Sequence, residues 1–225
     1  MSKALFNLFF PKVCFGCNSL LKDFESYVCT LCRHELPATQ FHFTGDDTVK
    51  KILYGRAHLE NATALLRFEK KGVVQHLIHN LKYKGHEEIG VFLGQWLGEE
   101  LKTLPEYQTV DCVVPVPLHR KKLKKRGYNQ VAKFGQEIAK ALEAEYLDQV
   151  LLKITNTSSQ VYKNRLARWF NPEEVFVCQN RERLRGKHLL LVDDLITTGA
   201  TLEACIEVLN AKTTHKISIA TMAIV

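Results

Sequence analysis

The stretch that decides the fold runs Leu189-Leu190-Leu191-Val192-Asp193-Asp194-Leu195-Ile196-Thr197-Thr198-Gly199-Ala200-Thr201. It reads as a buried strand, two carboxylates at its C-terminal end, and a loop of small residues opening a helix. A continuous rather than alternating apolar strand belongs to a parallel sheet covered on both faces. Ligands of such sheets bind at the carboxyl ends of the strands. A helix N-terminus placed there offers free N–H groups and a dipole that favours phosphate. Gly199 lets the backbone approach the anion, and Thr197, Thr198 and Thr201 add hydroxyl donors. Two carboxylates beside a phosphate are electrostatically unfavourable until a sugar is placed between them, because carboxylates accept hydrogen bonds from ribose hydroxyls. An ordinary helix start needs one acidic cap. This one has Asp193, Asp194 and a Thr-Thr-Gly loop.

The same alternation extends outward on both sides. Ala62 to Phe68 is short and apolar, while Val73 to Leu81 and Val91 to Leu104 carry helical periods. Val110 to Val116 is a compact apolar run ended by prolines, a strand leaving its sheet. Val131, Phe134, Ile138 and Leu142 mark one face of a helix. Val150 to Ile154 and Val175 to Cys178 are further strands, Ala200 to Leu209 is a helix, and Ile217 to Val225 is the last strand. The fold class expected is α/β, a largely parallel sheet with helices on both faces.

After the strand at Val110, the basic run Arg120-Lys121-Lys122-Leu123-Lys124-Lys125-Arg126 leads to Gly127, with a helix beginning near Asn129. Such a run is most often a solvated face. At the carboxyl end of a sheet it could neutralise a pyrophosphate or track a nucleic-acid backbone.

The N-terminal third carries a different signal. Cys14-x2-Cys17 is followed by eleven residues and then Cys29-x2-Cys32. Two tight turns, each aiming two thiolates at one ion, complete a tetrahedral shell, so the reading is a structural Zn2+ held by Cys14, Cys17, Cys29 and Cys32. Buried or redox cysteines are the competing reading, and His34 or His42 could substitute, although four sulfurs suffice. Phe15-Gly16 suggests a positive φ at Gly16. The polar Thr44-Gly45-Asp46-Asp47 stretch suggests a boundary, giving a zinc-binding module over 1–45 and a second domain over 46–225.

An apolar share of 46% in 225 residues allows one core plus a small module and excludes a disordered chain. The net charge of +7 points toward anionic partners. The opening Met1 to Phe10 is apolar, but it meets Pro11 and Lys12 too soon for a secretory signal and reads as a short helix or staple. No apolar run is long enough to cross a bilayer, so no membrane span and a cytoplasmic location are expected. Seven cysteines, an odd number, fit a reducing compartment.

The segment from Leu189 to Thr201 resembles the phosphoribosyl-pyrophosphate loop of type I phosphoribosyltransferases. Val113-Val114-Pro115-Val116-Pro117, followed by Arg126-Gly127-Tyr128-Asn129-Gln130, resembles the competence protein F family (ComF, with GntX-like relatives), and the resemblance runs from the cysteine quartet to the last strand. It implies the type I phosphoribosyltransferase fold with an N-terminal zinc module. It implies phosphoribosyl pyrophosphate as ligand, bound with Mg2+: Asp193 and Asp194 on the ribose hydroxyls, and Thr197, Thr198, Gly199, Ala200 and Thr201 around the 5-phosphate. By position it assigns Arg120, Lys121, Lys122 and Arg126 to the pyrophosphate loop.

The resemblance also places Gln160, Arg168 and Asn171 in a hood over the substrate, with Tyr162-Lys163 where the family carries Gly-Leu. Leu81-Lys82-Tyr83-Lys84-Gly85 is a further family-like element, explained almost as well as a helix C-terminus with a glycine cap. The activity implied is pentosyl transfer at the ribose anomeric carbon with pyrophosphate leaving, to an acceptor that no residue pattern selects. The family's link to natural competence and DNA uptake implies two alternatives: a single-stranded DNA-binding factor, with Tyr128 and Trp169 as stacking surfaces and helicase-type competence proteins as partners, or a regulator that senses phosphoribosyl pyrophosphate.

Overall fold

The structure is a computed structural model describing residues 11–155, 174–212 and 215–225. Five strands form one sheet in the order β1 (Ala62–Arg67), β7 (Lys216–Ile224), β6 (His188–Ile196), β2 (Cys112–Pro115) and β3 (Glu145–Tyr146). Every neighbouring pair is parallel. The central strands are buried at almost every position, which explains their continuous apolar sequence.

Alternate side chains of each strand enter opposite cores. Val113, Leu190, Val192, Ala220 and Met222 face a layer made by α4 (Val73–Tyr83), α5 (Glu88–Leu101) and α8 (Ala132–Ala141), together with the cysteine segment. Cys112, Val114, Leu189, Leu191, Ile217 and Ile219 face α2 (Phe41–Thr44), α3 (Thr48–Ile52) and α9 (Ala200–Asn210). Helices α5 and α8 approach unusually closely, since a Cβ at Gly94 would lie 2.6 Å from the Phe134 carbonyl oxygen. The remaining helices are α1 (Thr30–His34), α6 (Pro105–Gln108) and α7 (Arg120–Arg126).

Three features differ from the sequence reading. The segments at Val150 and Val175 do not join the parallel sheet: β4 (Leu151–Thr155) and β5 (Glu174–Cys178) pair with each other, antiparallel, and bracket residues 156–173. The basic run is no loop. No Gly or Pro interrupts residues 120–126, the Nδ1 of His119 accepts the Lys121 N–H at 3.2 Å, and Gly127 closes the helix at φ +88°. Gly16 does not have positive φ. Asn18 takes the left-handed conformation instead, at φ 62°, and Gly16 is small because a Cβ there would lie 2.9 Å from Val73 Cγ1 and 3.1 Å from Cys32 Sγ.

Since all five strands run the same way, the segments following β1, β2 and β6 emerge on one edge of the sheet. No helix among the described residues is long and apolar enough to cross a membrane.

Candidate phosphate and metal sites

Strand β6 runs further than its apolar core suggests, because Leu195 and Ile196 continue the ladder to Ala223 and Ile224. Asp193 and Asp194 therefore lie within the strand and are both buried. The Asp194 N–H donates to Asp193 Oδ1 at 2.8 Å. Burial, and then the neighbouring Asp194 charge, push the Asp193 carboxyl up to about 8. Asp194 Oδ2 has no aligned hydrogen-bond donor among the described residues but faces the Lys82 ammonium at 3.0 Å. This lysine, in the last turn of α4, belongs to the element that the sequence explained almost as well as a helix end; Gly85 does adopt φ +79° after that end.

The turn 197–199 then leads into α9. Thr197 and Thr198 are exposed, Ala200 and Thr201 partly so, and residues 197–202 with Asp193, Leu195 and Ile196 line a small open pocket. Gly199 is the N-cap at φ +74°, and a Cβ there would meet Leu53 Cδ2 at 2.8 Å. Both conformation and space demand glycine. The turn is braced from behind by a residue that sequence reasoning missed. Arg56 donates to the Thr198 carbonyl at 2.8 Å and pairs with Glu203 at 2.7 Å. No local pattern at Arg56 signals this, because its partners lie far along the chain.

On the same edge, α7 presents Arg120, Lys121, Lys122, Lys124 and Lys125 to solvent, whereas Arg126 is half-buried and bonds Gln130. His119 anchors the start of α7. With Nδ1 accepting from Lys121, Nε2 carries the proton and donates to Thr155 Oγ1 at 2.9 Å. Tyr128 is partly buried, and its hydroxyl donates to the Leu81 carbonyl. The hood candidates Gln160, Arg168 and Asn171, together with Tyr162 and Trp169, lie outside the described residues, as do Met1 to Phe10.

The sulfurs of Cys14, Cys17, Cys29 and Cys32 lie within 4.8 Å of one another. Cys17 and Cys29 are 3.7 Å apart, close to the ~3.8 Å sulfur–sulfur edge of a tetrahedron with zinc–sulfur bonds of about 2.3 Å. Backbone N–H groups of Gly16 and Cys29 point at Cys14 Sγ (3.3 and 3.2 Å), and that of Cys32 at Cys29 Sγ (3.5 Å). Such donors stabilise thiolates, so the residues fit a metal ion. His42 is engaged elsewhere, with Thr63 at 2.9 Å and Glu100 at 3.0 Å. The first cysteine turn is also fastened to α4: His76 Nδ1 bonds the Gly16 carbonyl at 2.9 Å, and Asn80 donates to that of Phe15 at 2.8 Å.

Comparison with known proteins agrees with this architecture. Residues 129–223 match the model of the phosphoribosyl transferase domain. Competence protein ComFC of Bacillus subtilis (strain 168) is 28% identical over 200 residues, covering 85% of this chain and 75% of that protein. Competence protein F of Haemophilus influenzae (strain ATCC 51907 / DSM 11121 / KW20 / Rd) is 23% identical over 206 residues, covering 86% and 89%. DNA utilization protein YhgH of Escherichia coli (strain K12) is 28% identical over 129 residues, with 56% of each chain aligned. With its parallel α/β sheet, the loop after β6 and the N-terminal cysteine cluster, the chain has a phosphoribosyltransferase-type domain and is similar over most of its length to competence proteins ComFC and F.

Proposed function

We propose that the chain binds phosphoribosyl pyrophosphate with Mg2+ and serves DNA uptake or utilization in the cytoplasm. The observation that carries this reading is the buried Asp193–Asp194 pair near the end of β6, followed after Leu195 and Ile196 by the 197–199 turn and the start of α9. Two carboxylates accept a pair of ribose hydroxyls, while the turn and helix start receive the 5-phosphate. Mg2+ is a hard cation suited to oxygen donors, and it would neutralise the ligand's phosphates. The Thr197, Thr198 and Thr201 hydroxyls would orient the phosphate, and the cations of α7, Arg120, Lys121, Lys122 and Arg126, would face the pyrophosphate. Gln160, Arg168 and Asn171 would cover the ligand. Zn2+ would fold the cysteine segment, residues 1–45, without chemistry of its own, since four sulfurs leave no open position.

Titration calorimetry with phosphoribosyl pyrophosphate and Mg2+ tests the core of this reading. Binding by the wild type is expected, with loss of at least about tenfold in affinity for Asp193→Ala/Asp194→Ala. No binding by the wild type would sink it. Pyrophosphate release on addition of a particular acceptor would extend the function to pentosyl transfer, and its absence with every acceptor favours a sensor of the ligand. The exposed cations of α7 support a second reading, a factor that binds single-stranded DNA and works beside helicase-type proteins.

A further inference from the structure

Lys82 places an ammonium within ion-pair distance of the buried carboxylate pair. Its position is over-determined. The residue before it, Leu81, is buried, and its carbonyl is held by the Tyr128 hydroxyl, from the segment that follows α7. Two residues before it, Asn80 is buried and bonded to the first cysteine turn. The head group is thus carried to the sheet edge by a helix fastened on both sides, which limits the entropy lost when it meets a ligand. Its side chain keeps 22% exposure beside a carboxylate that keeps 7%. One donor of the ammonium is directed at Asp194, and an ammonium has three.

We propose that Lys82 is a ligand-binding residue of the phosphoribosyl site: it contacts the pyrophosphate of the ligand while Asp194 holds the ribose, so the pair discriminates a pyrophosphorylated sugar from a sugar monophosphate. This rests on the phosphoribosyl pyrophosphate reading of the Asp193–Asp194 turn. The charge logic is direct. A highly anionic ligand approaching the Asp194 carboxylate needs a cation between the two charges, and Lys82 already stands against Asp194. The cations at positions 120–125 of α7 lie exposed on the surface, where water screens them. Lys82 is half-enclosed and less screened. Helix polarity contributes in the same sense only weakly, because the C-terminal carbonyls of α4 favour a cation at that end whether or not ligand is present.

Calorimetry on the full chain with Mg2+ tests this, using phosphoribosyl pyrophosphate, inorganic pyrophosphate and ribose 5-phosphate as separate probes. Lys82→Met is expected to weaken the two pyrophosphate-bearing probes by about tenfold or more and ribose 5-phosphate by less than about threefold, with Lys82→Arg close to wild type. Lys82→Gln repeats the comparison if Met disturbs folding, as monitored by thermal melting. Equal losses for all three probes, or none, would overturn the proposal while leaving the wild-type reading intact. A wild type that binds none of the probes overturns that reading and this inference together.

Discussion

The guanidinium of Arg56 donates to the carbonyl of Thr198 at 2.8 Å, tying the loop before β1 to the 197–199 turn 142 residues later. The same side chain reaches Glu203 in the first turn of α9. Turn and helix start are thereby held to one post. Arg56→Ala is expected to leave the fold intact and weaken binding of phosphoribosyl pyrophosphate by roughly three- to tenfold, since it touches the turn and not the ligand. Circular dichroism and calorimetry on the same preparation check this. Unchanged affinity would show that the turn holds its shape without the post.

Asp193 titrates high because burial, reinforced by Asp194, disfavours its charged form. The folded state therefore keeps a proton that the unfolded chain releases between about pH 4 and 8, and stability falls as pH rises through that window. Asp193→Asn removes the dependence. Urea unfolding of ligand-free protein at pH 5 and pH 8.5 is expected to show the wild type losing ~1–3 kcal/mol more than the variant. The difference cancels His42 and His188, whose pKa values are lowered by burial and whose effect has the opposite sign. Parallel pH profiles would contradict the assignment.

Removing metal from the cysteine cluster is expected to loosen α4, because His76 and Asn80 hold the carbonyls of Gly16 and Phe15. Native mass spectrometry should find one metal ion per chain in freshly reduced protein. After chelation, amide exchange in residues 73–83 should accelerate and Tm should fall by more than ~4 °C. Unaltered exchange in that helix would mean that the cysteine segment is only an attachment.

If single-stranded DNA is a ligand, the exposed face of α7 is where it should bind. Changing Lys121, Lys122, Lys124 and Lys125 to Gln should lower the slope of log K against log salt by up to about 3, at ~0.7 for each phosphate no longer neutralised. A slope that does not move places any DNA-binding surface elsewhere.

Much of the architecture was legible because strands buried on both faces leave continuous apolar runs, as at Leu189–Val192. The acidic-Thr-Gly turn was legible because its residues are contiguous. What escaped was long-range or sterically specific. Arg56 is one arginine among many until Thr198 is beside it. Lys82 reads as a helix-end cation until Asp194 faces it. Gly16 answers to the closeness of Val73 and Cys32, not to its own torsion angle. The antiparallel β4–β5 pair has the same apolar composition as the parallel strands, and composition alone does not assign a partner.

Strand β7 separates β1 from β6, so Ala62 to Arg67 find their ladder partner only in residues 219–224. The four cysteines, by contrast, fall between residues 14 and 32. Closure of the cysteine segment is therefore a local event that can come early, whereas β1 docks only when residues 62–67 meet residues 219–224. Assembly is expected to run at two rates, the cysteine segment closing on itself well before β1 completes the sheet.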